Sequence, residues 1–125
     1  MEEKNQSFTE LEVRKKARTL KNELKDLTNG FPQEEKYRLS DQIIRSSRSC
    51  CANIAEGHGR FTYKDQLHFC VQARGCLSET HNHLIKTPDC KYISQEQFDH
   101  FKLMIDEAGR LLNGYITFLR KNLNQ

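Results

Sequence analysis

Three features of this chain point to an all-α protein, an antiparallel up-down-up-down four-helix bundle. Four segments, each roughly 20 to 28 residues long, repeat apolar side chains at intervals of three and four. The connections between them are short, which makes neighbouring helices antiparallel. No stretch alternates apolar and polar residues for long enough to form a strand. The chain is read as one domain over residues 1–125.

The first helix is expected over about 9–28, where Val13, Ala17, Leu20, Leu24 and Leu27 form a continuous seam. Asn29-Gly30-Phe31-Pro32 closes it with a terminal glycine and a proline suited to the first turn of the next helix. The second helix is expected over about 32–56, with Glu34 and Glu35 opposing the positive end of its dipole. It carries two adjacent seams, Leu39, Ile43, Ser46, Cys50 and Ile44, Ser47, Cys51, Ile54, an arc wide enough to touch more than one neighbour. Gly57-His58-Gly59 ends it, because two glycines so close are poorly accommodated in a helix interior.

A third helix is expected over about 62–86. Thr62 and Asp65 form a short-armed capping box at its start, and Thr87-Pro88-Asp89 stops it. Leu67, Cys70, Ala73, Leu77 and Leu84 mark its buried face, flanked by Phe69 and Cys76. The fourth helix, about 94–121, opens with Ser94 and Gln97, a second capping box. Its seam of Phe98, Phe101, Ile105, Ala108, Leu112, Tyr115 and Leu119 is unbroken.

Composition narrows the class. Leu, Ile, Val and Phe supply 29 of 125 residues, above the roughly 20% floor below which chains stay disordered. Yet only 36% of the chain is hydrophobic and its mean hydropathy is −0.82. A small core under a large charged surface suits an elongated helical domain that can hide further area by self-association. Two prolines, six glycines and no tryptophan exclude collagen-like and linker-rich chains. No run approaches the 18 or more apolar residues that cross a bilayer, so no membrane partner is expected. Met1-Glu2-Glu3-Lys4-Asn5-Gln6 lacks the apolar heart of a secretory signal, and a cytoplasmic location is expected. Five cysteines, with Cys50 beside Cys51, make a poor disulfide framework and read as small buried apolar residues.

Catalytic chemistry finds no foothold in the sequence. Zinc ligands on helices need side chains three or four apart, and no Cys or His pair has that spacing. Asp65-Gln66-Leu67-His68 is a single, wrong-acid approximation to the Glu-x-x-His motif that di-iron bundles use twice. Cys50 and Cys51 sit mid-helix, where nothing lowers a thiol pKa. There is no phosphate loop, dinucleotide fingerprint or nucleophile elbow. Glu56, Arg74, Glu79, Arg110 and Asn113 are read as polar pairs between helices. No enzymatic activity, metal or cofactor is expected.

Charge is more informative. Arg14, Arg18, Lys21 and Lys25 recur at four, three and four, with Lys15 and Lys16 adding to the stripe. Between residues 14 and 25 there are six cations and one anion, Glu23. Arg38, Arg45 and Arg48 lie roughly on one face of the second helix, and Arg60 and Lys64 follow in the turn. The last 51 residues balance at six against six, so the net +3 belongs to the earlier part of the chain. A cationic stripe on a rigid helix tracks phosphates without reading sequence; the plainer reading is a solvated face with no ligand. Glu56-Gly57-His58-Gly59-Arg60 is either an ordinary turn or an anion-holding one.

Asn53-Ile54-Ala55-Glu56-Gly57-His58-Gly59-Arg60 resembles the N-I-A-E-G-x-G-R signature of the bacterial four helix bundle protein family. That family includes proteins encoded in intervening sequences of 23S ribosomal RNA genes and is related to the accessory variability determinant of diversity-generating retroelements. Phe8-Thr9-Glu10-Leu11-Glu12-Val13, Ala73-Arg74-Gly75-Cys76-Leu77-Ser78-Glu79 and Gly109-Arg110-Leu111-Leu112-Asn113-Gly114 agree as well, in the right order. The chain departs from the pattern at Cys51 and around Thr80-His81-Asn82-His83.

The resemblance implies a homopentameric barrel with no enzymatic activity. In retroelement members it also implies a positive surface that binds nucleic acid and a reverse transcriptase. On that basis Arg14, Lys15, Arg18, Lys21 and Lys25, with Arg45, Arg48 and Arg60, are expected to contact RNA or DNA without strong sequence preference. Leu39, Ile43 and Cys50 are expected to serve a subunit contact as well as the core. The alternative is a self-assembling scaffold of the intervening-sequence type whose partner is another protein.

Overall fold

The structure is a computed structural model that describes residues 2–124, with side chains from residue 10 onward, so Phe8 and Thr9 of the matching entry stretch lie outside the described side chains. Four α-helices and no strand occur among the described residues: α1 Glu2–Thr28, α2 Asp41–His58, α3 Tyr63–Asp89 and α4 Gln95–Lys121.

α1 begins at Glu2, earlier than its apolar seam, because residues 2–8 contain no glycine or proline to stop the helix. It buries Val13, Ala17, Leu20, Leu24 and Thr28. The next segment is helical from Gln33 but not α-helical. A 3₁₀ turn, Gln33–Glu35, and a widened π-helical stretch, Lys36–Ser40, precede α2. The wider turn lets the adjacent residues Leu39 and Ser40 both face inward.

Leu39, Ile43 and Cys50 have 6%, 0% and 3% of their surface exposed. These side chains belong to the bundle's own core, the first of the two roles expected of them. The two-seam arc of α2 meets two neighbours, as its width implies: α2 packs between α1 and α3. Its hydroxyls sit in the α3 contact, where Thr80 donates to Ser46 Oγ (2.7 Å) and Ser46 donates to the Ile43 carbonyl (3.2 Å). Hydroxyls paired in this way let two helices approach without leaving a buried polar group unmatched.

α3 runs through Pro88 instead of stopping near residue 86. Proline has no N–H for the Leu84 carbonyl, and buried Thr87 replaces it by donating from Oγ1 at 2.7 Å. The helix then ends in a Schellman motif. Lys91 N–H donates to Pro88 (2.9 Å), Tyr92 N–H donates to Thr87 (3.0 Å), and Lys91 adopts φ 62°. α4 opens with a complete capping box between Ser94 and Gln97.

Aromatic and polar contacts tie the two ends. At one, Phe31 packs on Tyr92 (5.4 Å between centroids), whose hydroxyl donates to Glu35 (3.1 Å). At the other, Tyr63 meets Phe118 edge-on (5.6 Å) and Tyr115 donates to Gln66 Oε1 (2.7 Å).

Candidate nucleic-acid interface

Arg14, Arg18, Lys21 and Lys25 each follow a buried seam residue of α1 by one position. One step along a helix is a rotation of about 100°, which sets all four on the flank toward α2. There Arg14, Lys15, Arg18 and Lys21 line a surface groove of about 380 Å³. Its apolar lining is Leu11, Ala17, Cys51, Ile54 and Ala55, and among the described residues no carboxylate lines it. Burial pushes the Cys51 thiol above its ordinary value, and the nearby Lys21 charge opposes that rise.

Two of the α1 carboxylates point elsewhere. Glu10 pairs with His58 at the end of α2, and Glu23 lies 3.0 Å from His100 on α4. Lys16 leaves the stripe for the opposite flank, where it reaches Glu107 at 3.2 Å. Among the described residues, Arg14, Arg18, Lys21 and Lys25 enter no ion pair, and Lys15 has a loose one with Glu12 at 3.9 Å. An exposed pair at that distance holds its cation weakly.

The remaining expected cations are dispersed. Arg48 shares the α2 flank of Ile44, Cys51 and Ala55, bordering the groove without lining it. Arg45 stands on the outer face with exposed Ser49 and Ala52, and Lys25 lies one turn beyond Lys21. Arg60 is elsewhere. Its guanidinium donates to Glu56 Oε1 (2.6 Å) and stacks over the Phe69 ring at 4.8 Å. There it bolts the α2–α3 turn to the two helices.

The same turn has no spare amides for an anion at its centre. Gly59 N–H donates to Glu56 (3.2 Å), Arg60 N–H donates to Gly57 (3.1 Å), and Gln66 Nε2 donates to the Arg60 carbonyl (2.9 Å). Gly57 is there for proximity, since a Cβ would come within 3.1 Å of Phe69 Cβ and 3.4 Å of the Gln66 carbonyl. Asn53 donates to the Ser49 carbonyl (2.9 Å), with Cys76 Sγ at 3.7 Å, and Ile54 is buried. The motif is a lock between helices.

Nucleophilic and metal chemistry gain no support from the geometry. Burial pushes the Cys50 and Cys70 thiols up to about 12. Among the described residues, no three His, Cys, Asp or Glu side chains are grouped to hold a metal ion. Arg74 donates to Asn113 (3.3 Å) as a polar tie between α3 and α4. No helix of the described residues is long and apolar enough to cross a membrane. Sequence reading missed the apolar lining, because a stripe on one helix does not reveal which residues of a neighbour lie beside it. It also passed over the exposed aromatics Tyr37 and Phe61.

The family described as 23S rRNA-intervening sequence protein matches residues 9–114. The chain belongs to that family. A solved structure from Bacteroides thetaiotaomicron, a protein of unknown function from the S23 ribosomal protein family, superposes with a TM-score of 0.81 at 25% identity. The match covers 87% of this chain and 98% of that one. No curated protein matches the chain. Family membership accounts for the bundle; the groove cations are read on their own chemistry.

Proposed function

We propose that this family member is a non-enzymatic, cytoplasmic accessory protein that binds the phosphate backbone of nucleic acid along the α1–α2 groove. The carrying observation is the convergence of Arg14, Lys15, Arg18 and Lys21 on a groove that no carboxylate lines among the described residues. Contacts of this kind position a polyanion without reading its bases. Arg48 and Lys25 extend the surface, and Arg45 adds long-range attraction from the outer face. Assembly as a homopentamer, which the family resemblance implies, would repeat the groove around a symmetric body. A reverse transcriptase is the protein partner that the retroelement relatives bring into the proposal.

The test is a double charge reversal, Arg18→Glu with Lys21→Glu, assayed by fluorescence anisotropy with mixed-sequence RNA at low salt. Loss of binding, with unchanged thermal midpoint and unchanged mass by light scattering, supports the reading. Undiminished binding by the double variant, or no binding by the unaltered protein, refutes it.

A further inference from the structure

Building on the reading of the α1–α2 face as a nucleic-acid surface, we propose that its ligand is single-stranded, with unpaired bases stacking on Tyr37 and Phe61, which stand before and after α2. Phe61 stands in the α2–α3 turn with its side chain fully in solvent, 103% exposed, and with Arg60 and Lys64 close by in sequence. It precedes the N-cap Thr62, a position whose apolar side chain ordinarily packs on the fourth residue of the helix. Here that fourth residue is Gln66, already committed to the Arg60 carbonyl and the Tyr115 hydroxyl. The ring therefore has no staple partner. The backbone on both sides is nevertheless fixed, by Gln66 on the Arg60 carbonyl and by Thr62 accepting from Asp65 N–H at 3.1 Å. The result is an aromatic ring displayed on a rigid turn.

Tyr37 is the counterpart at the other end of α2, 79% exposed between Lys36 and Arg38. The Lys36 ammonium lies 5.5 Å from its ring centroid. Lys36 also lines a second surface hollow between the end of α1 and the start of α2, where, among the described residues, Asp41 is the one carboxylate beside Thr28, Phe31, Ser40 and Ile44. Between the two rings runs α2, whose 18 residues span about 27 Å at 1.5 Å per residue. Cations along a backbone track, with aromatic rings spaced on it, is how single strands are held irrespective of sequence. A duplex keeps its bases stacked on one another and offers these rings nothing along its length. The pattern therefore selects unpaired nucleic acid.

The test uses the full chain and a fluorescein-labelled mixed-sequence RNA of about 12 nucleotides, single-stranded or annealed to its complement. Tighter binding of the single strand is expected. Phe61→Ala and Tyr37→Ala are each expected to weaken it about tenfold, within the range of one lost base stack, and to leave duplex binding unchanged. Because the chain has no tryptophan, Phe61→Trp supplies a lone reporter that should keep affinity and be quenched by the single strand alone. If both alanine variants bind normally while the Arg18→Glu, Lys21→Glu protein does not, stacking is overturned and the phosphate reading stands. Equal affinity for duplex also overturns it, as does a Phe61→Ala protein that changes mass but not RNA affinity. No binding by the unaltered protein at low salt removes both readings.

Discussion

Replacing Arg18 by alanine should lower the salt dependence of RNA binding by a calculable step. Each phosphate neutralised on a single strand releases counterions, so log K falls with log salt at a slope of about −0.7 per phosphate. Four groove cations, Arg14, Lys15, Arg18 and Lys21, then give a slope of about −2.8 for a probe short enough to engage one groove. Raising salt from about 50 to about 200 mM would cost roughly 50-fold in affinity. With three cations the slope becomes about −2.1 and the loss roughly 20-fold. Arg18 is exposed and enters no ion pair among the described residues, so its removal leaves the bundle intact. Lys16→Ala is the control, because Lys16 faces Glu107 on the other flank. Anisotropy titrations at four salt concentrations measure both slopes. A slope that Arg18→Ala leaves unchanged, or that Lys16→Ala reduces equally, would falsify the assignment of phosphates to this groove.

Four further outcomes concern the bundle that carries the groove. Thr87→Val keeps the shape but strips the buried Leu84 carbonyl of its donor; a loss of about 1–3 kcal/mol is expected in urea unfolding, and Thr87→Ser should retain most of the stability. Lys91→Gly relieves a left-handed residue at φ 62°: about 1–2 kcal/mol of steric cost, less about 0.5–1 for the freer unfolded chain, leaves a gain to be seen as a raised thermal midpoint. Cys50 and Cys70 stay protonated up to about 12 in the folded protein but ionise near the ordinary 9.0 when unfolded. Their contribution to stability is therefore complete below about pH 9 and lost as pH rises toward 12, which urea midpoints at pH 8 and 10 will detect. Iodoacetamide at pH 8 should label exposed Cys90 well before either buried thiol, by peptide mass mapping.

Most of the architecture was legible because it rests on one-dimensional periodicity. Val13, Ala17, Leu20 and Leu24 declare a buried face whatever lies opposite, and Phe101, Ile105, Ala108 and Leu112 do the same. Features that depend on a partner were not legible. The width of the α2 arc shows that it has neighbours but not which ones, so the spacing of Leu39, Ile43 and Cys50 does not say which helices cover them. Pro88 looked like a stop because its missing N–H is visible in sequence, whereas the compensating Thr87 hydroxyl acts only once the helix exists. The site divides along the same line. The spacing of the α1 cations is periodic, but the fates of Lys16 and Arg60 were decided by Glu107 and Phe69, remote in sequence.

The stretch that resembles the family signature and the proposed binding surface use different side chains. In the signature stretch, Asn53 bonds the α2 backbone, Ile54 fills the core, Gly57 permits contact with Phe69 and Arg60 clamps Glu56. Each of these would be needed in a bundle that bound nothing at all. The groove cations have the opposite character. Arg14 and Arg18 are exposed and unpaired among the described residues, and two α1 acids, Glu10 and Glu23, are drawn away by His58 and His100. Four cations held together, with no carboxylate among the described residues lining their groove, raise the electrostatic energy of the folded chain. A bound polyanion offsets that repulsion more fully than water and salt screen it at an exposed face. Their convergence on one groove is thus better explained by a phosphate ligand than by folding.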